Sequence, residues 1–267
     1  MLVKDLAQLA IRNLKYLFGV GIFILLIFFL QFIDVGKPDK EILGNFIEWY
    51  GILFSILLAL VIVHVWTKYN TVDALVDKEA DTLVSLLRFA KFLESPPVFI
   101  ALADVIYDYC AYFCQPGLSY ENAMKDSREK LDKIFSELFK AVKSVQQPIL
   151  TKEMIRCFDE AADTRGDRDA IAKERIPYVL WFMMVFTSMI WLTSFFWLAF
   201  IDVHLTVAVF MLFSTSVTVI GLLFIAKDID NPISGMWKIN FNAFRETCKE
   251  IAYMRQQFFL ASPPANE

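Results

Sequence analysis

Four long apolar runs lie in this chain as two pairs, with residues 67–175 between the pairs. The runs cover residues 16–33, 50–66, 176–201 and 205–226, and none of them contains Asp, Glu, Lys or Arg. A bilayer core about 30 Å thick requires roughly 20 apolar residues in a helix that crosses it. Each run reaches or nearly reaches this length, so the sequence predicts four transmembrane helices.

Composition agrees with a membrane protein that also has a water-facing part. Hydrophobic residues make up 57% of the 267 residues, whereas soluble domains average about 45–50%. Charged residues make up 21% of the chain, so part of it must face water. The net charge of −4 and the lack of a large basic block argue against nucleic acid as a partner.

The placement of basic residues predicts the topology, because Lys and Arg in short flanking segments favour the cytoplasmic side. They precede the first run and follow the fourth, at Lys4, Arg12, Lys15, Lys227, Lys238, Arg245 and Lys249. We therefore expect both termini and the central segment to be cytoplasmic, in a bacterial inner membrane. The short connection over residues 202–204 forces the last two spans into an antiparallel hairpin.

The central segment shows the helical spacing of apolar residues and no strand-like alternation. Pro96 and Pro97 are expected to end one helix and start the next. Pro148 is expected to break another helix, with Thr151 capping the one that follows. Nothing breaks a helix between Tyr50 and Glu94, so the second span is expected to continue into this segment.

The predicted fold is an all-α membrane protein with four transmembrane helices per subunit and a helical cytoplasmic domain inserted between spans two and three. Its expected parts are residues 1–67 (an N-terminal interfacial segment and two spans), 68–175 (the cytoplasmic domain), 176–226 (two spans) and 227–267 (a C-terminal helix and tail). Residues 2–14 form either an interfacial helix or an extension of the first span.

The second span carries two sets of residues at helical spacing. Gly51, Ser55 and Ala59 are four apart, and small residues at this spacing let helices approach closely in lipid. This packing would occur either inside one subunit or around an oligomeric pore. Glu48, Ile52 and Ile56, followed by Val63, share another face. In a ring of subunits that face would form a hydrophobic constriction, but a lone apolar face more often contacts lipid or core.

Polar side chains in the last two spans are hydroxyls only. Thr187, Ser188, Thr193 and Ser194 lie in the third span, and Ser214, Thr215, Ser216 and Thr218 lie in the fourth. Such hydroxyls are expected to bond to their own helix or to a neighbouring helix rather than to line a permeation path. No acidic or basic residue lies deep in a span, which argues against an ion-coupled transporter.

Charges outside the spans are expected to be solvated or paired at the surface, including Glu79, Asp81 and Arg88 on one helix and Arg165, Arg168 and Arg175 before the third span. Asp228 and Asp230 supply too few oxygens to indicate calcium. The four cysteines are expected to be reduced thiols that pack as small hydrophobes. No catalytic motif, metal site or cofactor loop is present in the sequence, so we expect no enzyme and no cofactor.

Two motifs carry a family resemblance. Residues Trp66-Thr67-Lys68-Tyr69 end the second span and precede Glu79-Ala80, and Asp230-Asn231-Pro232 with Gly235 follows the fourth span. In their order and placement they resemble the bestrophin-like family of unassigned function, over nearly the whole chain. The resemblance implies a homo-oligomeric membrane protein.

A more distant similarity links the chain to the bestrophin anion channels, which are pentamers with four spans per subunit. This similarity implies a pore lined by the second span, with Glu48, Ile52 and Ile56 at the neck, and favours anions such as chloride. The sequence departs from bestrophins in two features, which bear on anion selectivity and on calcium binding. A ring of Glu48 carboxylates favours cations, and Met236-Trp237-Lys238 replaces the acidic run of the calcium clasp.

The expected function is therefore a homo-oligomeric ion channel, favoured as a pentamer in the lipid bilayer, with its selectivity unassigned and inorganic ions as the permeating species. The alternative is a non-conducting membrane scaffold or sensor that acts through its cytoplasmic helices.

Overall fold

The computed structural model describes residues 39–115, 120–144, 147–199, 204–232, 237 and 239–261. The expectations for residues 2–14, the first apolar run, Gly235 and the end of the tail lie outside these residues. Within them the chain forms helices and no strand. The helices are α1 (Lys40–Phe92), α2 (Pro96–Phe113), α3 (Tyr120–Ser144), α4 (Pro148–Lys173), α5 (Tyr178–Ala199), α6 (Leu205–Ile229) and α7 (Asn242–Ala261).

Three stretches of the described chain are long and apolar enough to cross a membrane. They are Lys40–Phe92, Pro148–Leu198 and Thr206–Ile229, and they contain the second predicted run and most of the third and fourth. The prediction of an all-helical membrane protein is confirmed for the described residues, with three candidate spans.

Helix α1 continues without interruption from Lys40 to Phe92. Asp39 caps its start, because the side-chain Oδ1 accepts from the backbone N–H of Glu41 at 2.9 Å and of Ile42 at 3.3 Å. No Pro or Gly follows Gly51 within the helix, and the chain leaves it through Glu94, whose φ is 53°. The expected continuation of the second span beyond the apolar run is confirmed.

The chain divides into two compact units. The first, described over residues 39–66, 175–199 and 204–230, contains the apolar part of α1 together with α5 and α6. Here Trp191 packs directly over Gly51, where an added Cβ would lie 2.7 Å from the indole nitrogen. The same Trp191 Nε1 donates to the backbone oxygen of Ile47 at 3.3 Å, so the missing side chain at Gly51 makes room for this contact.

The second unit contains Thr67–Glu174 and the chain after Asp230. Helix α2 packs against both α3 and α7. The core is fully buried at Leu83, Leu86, Leu87, Phe99, Leu102, Ile106 and Phe244. Aromatic rings join α2 to α7, with the centroids of Phe113 and Phe244 4.9 Å apart. The apolar stripes predicted for this segment therefore pack against one another.

One predicted helix start is wrong. Helix α4 begins at Pro148 with Gln147 as its cap residue, and the Thr151 hydroxyl donates to the Gln147 backbone oxygen at 2.7 Å from inside the first turn. Proline suits the first helical position because the N–H that it lacks would have no partner inside the helix. Pro148 thus starts the helix that Thr151 was expected to cap.

Candidate functional site

The second-span residues lie on the part of α1 in the first unit, which has a clear buried side. Ile47, Phe54, Leu58, Val61 and Val65 are buried and share one face. Ile52 and Ile56 are 49% and 57% exposed. At about 3.6 residues per turn they lie roughly 150° to 190° around the helix from that buried face.

Glu48 is exposed as well, at roughly 110° from the buried face and about 12 Å along the axis from Ile56. The Glu48, Ile52 and Ile56 side chains therefore point away from the buried side of α1, which Trp191 of α5 contacts at Phe54. A face of this kind can contact lipid, another part of the protein or a water-filled passage.

The small residues of the second span have different environments. Gly51 packs against Trp191 within the chain. The Ser55 hydroxyl donates to the Gly51 backbone oxygen at 2.7 Å, and Ser55 and Ala59 are both exposed. Gly51 alone of the three thus has a packing role inside the unit.

A buried ion pair lies in the second unit. Arg168 Nη1 on α4 is 2.6 Å from Glu79 Oε2 on α1, and both side chains are fully buried. The Tyr109 hydroxyl on α2 donates to the other carboxylate oxygen of Glu79, and Ala80 beside it is buried. The expectation that Glu79 and Arg168 are surface charges is wrong, because three helices enclose them.

Further groups extend this cluster. Arg165 donates to the Ser127 hydroxyl of α3 at 3.0 Å and lies 3.4 Å from Asp169. The Arg168 guanidinium lies over the Phe113 ring at 5.1 Å from its centroid. The network joins α1, α2, α3 and α4.

Burial raises the pKa of the Glu79 carboxyl above its usual range, against the opposing effects of Arg168 and the Tyr109 hydroxyl. Burial, followed by the Glu79 charge, also raises the pKa of Tyr109 well above its usual value. Tyr109 is therefore a neutral hydrogen-bond donor at physiological pH. The arrangement holds helices together rather than presenting a reactive group.

Sequence reasoning missed Tyr109 and the pairing of Glu79 with Arg168. One signal was available: Glu79 interrupts a stripe of apolar residues at helical spacing that includes Val72, Val76 and Leu83. A carboxylate in such a stripe requires a buried partner. The identity of the partner depends on how α4 packs, which the stripe does not indicate.

Lys68, in the motif that ends the second span, is buried. Its ammonium group donates to the backbone oxygen of Glu174, directly after the end of α4. A cation is favourable there because the last carbonyls of a helix carry partial negative charge. The lysine therefore has a local role within the second unit.

Asp230, in the motif after the fourth span, bonds to the segment before α5. Its Oδ1 accepts from the backbone N–H of Ile176 at 3.3 Å, and its backbone oxygen accepts from Arg175 Nη1 at 3.3 Å. The Ile176 N–H is buried and outside a helix, so it requires such an acceptor. Pro232 of the same motif is buried, and its backbone oxygen accepts from the N–H of Ile239 at 3.1 Å, whereas Asn231 is half-buried.

The hydroxyls of the spans donate to carbonyls of their own helices. Thr187 donates to Met183 at 2.8 Å and Thr193 to Met189 at 2.7 Å, and Ser188, Ser194, Ser214, Thr215 and Thr218 behave in the same way. For these seven residues the expected bonding back to the helix is confirmed.

The cysteines are free thiols, with Cys110 and Cys157 buried. Over the ranges that the structure describes, no three His, Cys, Asp or Glu side chains are placed to hold a metal ion. Cys110 and Cys157 lie in the apolar core, and Cys114 and Cys248 pack against it.

A family model described as "Bestrophin-like domain" matches residues 16–244 of the sequence. No curated protein sequence matches the chain. Among solved structures, a variant of a bacterial bestrophin homologue from Klebsiella pneumoniae is similar with a TM-score of 0.68, at 15% identity over 90% of this chain and 97% of that one. A second variant of that homologue gives a TM-score of 0.69, at 14% identity over 94% of this chain and 100% of that one.

At these identities the structures support the fold alone, whereas the family match covers most of the sequence and includes both motifs up to Gly235. This chain belongs to the bestrophin-like family.

Proposed function

We propose that this chain assembles into a homo-oligomer, with five subunits favoured, that conducts inorganic ions across a membrane. Membership in the bestrophin-like family and the likeness to a bacterial bestrophin homologue support an ion channel. The number of subunits rests on the resemblance to bestrophins.

The observation that carries the pore assignment is the direction of Ile52 and Ile56. Both are exposed on the side of α1 opposite its buried face. In a symmetric ring of subunits this side can face the axis while the buried side keeps its contact with Trp191 of α5. Two isoleucines on successive turns then form a narrow apolar neck, which is a known form of gate.

The family resemblance and the Glu48 side chain favour opposite ion selectivities. The resemblance to bestrophins favours anions such as chloride. Glu48, however, is exposed one turn before Ile52, and a ring of carboxylates at a pore entrance attracts cations. The proposal is a channel whose neck admits ions of either sign and whose entrance charge biases the choice.

The proposed topology has four spans per subunit, both termini in the cytoplasm and the helices of the second unit on the cytoplasmic side of a bacterial inner membrane. The distribution of Lys and Arg supports it. The four proposed parts of the chain are those predicted from the sequence, with boundaries after residues 67, 175 and 226. The described residues present no catalytic constellation, and the proposed role is not enzymatic.

Reconstitution tests the proposal. Purified protein in a planar bilayer is expected to pass discrete current steps, and its mass in detergent or native lipid is expected to correspond to a ring of subunits. A compact dimer, or silence under all ionic and voltage conditions, would contradict the channel.

An alternative function is a non-conducting scaffold or sensor that binds partners through its cytoplasmic helices. The observation that favours it is an exposed apolar surface on α3 and α4. Phe135 and Phe139 are each 51% exposed, with ring centroids 6.3 Å apart, and Ile149 is 79% exposed. A monomer in detergent that still binds a partner through these rings would support this function over conduction.

A further inference from the structure

A cavity with hydroxyl groups on its wall lies between α1, α5 and α6 in the first unit. Its volume is about 340 Å³, at the lower end of the roughly 300–1,000 Å³ that small-molecule sites occupy. Phe54, Leu58 and Trp191 supply much of its apolar wall. Its residues come from the middle of three predicted spans, at the depth of the lipid chains.

Four hydroxyls of the described residues line the same cavity, and each hydrogen is committed to a backbone carbonyl of its own helix. Ser55 donates to Gly51 at 2.7 Å and Thr218 to Ser214 at 2.9 Å. Thr215 and Ser214 both donate to Met211, at 2.7 Å and 3.0 Å. A hydroxyl has one hydrogen and two acceptor lone pairs, so these groups offer acceptors to whatever occupies the cavity.

The rest of the wall excludes charged ligands. The Trp191 indole N–H donates to the backbone oxygen of Ile47 at 3.3 Å, so it is not offered to a ligand. Among the described residues, no acidic or basic side chain lines the cavity. An anion would find no donor there, and a cation would find no counter-charge at a depth where an unpaired charge is costly.

We propose that this cavity binds an uncharged amphiphile with an apolar body and a hydroxyl or amide hydrogen to donate, such as a long-chain alcohol. The apolar body lies against Phe54, Leu58 and Trp191, and the donor bonds to the hydroxyl oxygen of Thr218. Phe54 and Leu58 belong to the buried side of α1, so the site is distinct from the Ile52 and Ile56 face.

Tryptophan fluorescence in the full-length protein in lipid nanodiscs tests this site. The probes are 11-bromoundecan-1-ol and 1-bromoundecane, which carry the same quenching bromine and differ in the hydroxyl. The chain has six tryptophans, so the Trp191 signal is the difference between the wild type and Trp191→Phe. The alcohol is expected to quench this signal saturably, at concentrations at least about threefold lower than the bromoalkane requires.

A matched pair of variants tests the hydroxyl. Thr218→Val keeps the shape of the side chain and is expected to weaken the alcohol preference about twofold to tenfold, which corresponds to the loss of one hydrogen bond. Thr193→Val is the control, because Thr193 also donates to its own helix, at 2.7 Å from Met189, and does not line the cavity.

Three results would overturn the proposal. Equal and non-saturating quenching by both probes would mean that Trp191 faces bulk lipid. Absence of quenching would mean that another part of the protein fills the cavity. Equal effects of Thr218→Val and Thr193→Val would remove the hydroxyl from recognition. None of these readouts depends on ion conduction, so the failure of the channel proposal would leave the test intact.

Discussion

Arg168 Nη1 lies 2.6 Å from Glu79 Oε2, and both side chains are fully buried between helices that are far apart in the sequence. Removing two charges from water is costly, and their attraction offsets that cost only while both are present. We therefore expect the pair to favour the packing of α4 against α1 and α2 in which both charges keep their partners. Removing one of the two charges should lower the free energy of unfolding far more than removing both.

The first prediction concerns Arg168→Met, which leaves the Glu79 carboxylate buried without its cation. The free energy of unfolding at neutral pH is expected to fall by about 3–5 kcal/mol, measured by denaturant unfolding in detergent. Adding Glu79→Gln to that variant is expected to recover part of the loss, because no buried charge remains.

Arg88→Met is the control for this variant. Arg88 pairs with Glu250 at 2.5 Å, but the two side chains are 59% and 37% exposed, and exposed pairs contribute about 0–1 kcal/mol. Equal losses for Arg168→Met and Arg88→Met would show that the buried pair has no special role.

The second prediction is the pH dependence of the same pair. The folded-state pKa of Glu79 is raised above the ordinary value of 4.5, mainly by burial, so the folded state binds a proton more tightly than the unfolded state. The Glu79 contribution to stability should therefore increase as pH falls through the raised folded-state pKa toward 4.5, and decrease as pH rises through it.

Arg168→Met should strengthen this dependence, because it removes the group that opposes the raised pKa. The measurement is the unfolding free energy of Arg168→Met relative to the double variant with Glu79→Gln, followed from neutral to acid pH. A difference that stays constant across that interval would contradict the assignment of the titration to Glu79.

The third prediction concerns Gly51→Ala in the membrane-spanning unit. The added Cβ would lie 2.7 Å from Trp191 Nε1, so the ring must move away from Ile47. We expect a loss of about 1–3 kcal/mol in unfolding free energy, as for overpacking elsewhere. Gly44→Ala is the matched control, since nothing lies within 4 Å of its added Cβ, and it should be neutral or stabilising. Equal stability of the two variants would remove the Trp191 contact from the packing.

The second, third and fourth apolar runs were sufficient to predict three membrane-length stretches of helix, because length and hydropathy are local properties. The unbroken α1 followed from the lack of Pro and Gly after Gly51. The Glu79–Arg168 pair did not follow, because it depends on how separate helices pack. Trp191 over Gly51 is a similar case: the small residue was visible in the sequence, but its partner lies 140 positions away along the chain. The pore face rests on the resemblance to bestrophins, since spacing alone predicted only a shared apolar face, and it stays a proposal because a single chain does not define the axis of a ring.

The fourth prediction concerns the charge at the proposed entrance. One unit charge about 6 Å from an ion in water contributes about 0.7 kcal/mol, or about threefold in ion occupancy. Glu48→Gln is therefore expected to shift the reversal potential in a KCl gradient toward anion permeation, whereas Glu48→Asp should leave it near the wild-type value. An unchanged reversal potential in Glu48→Gln would place the carboxylate outside the conduction path.

The conductance of single channels of Ile52→Ala in a planar bilayer tests the central claim most directly. If Ile52 lines the neck, removing most of its side chain widens the constriction, and the conductance is expected to rise roughly twofold or the gate to open more often. Leu53→Ala is the control, because Leu53 is 58% exposed but lies about 100° further around α1. It should behave as the wild type. Identical currents from wild type, Ile52→Ala and Leu53→Ala would contradict a pore lined by this face.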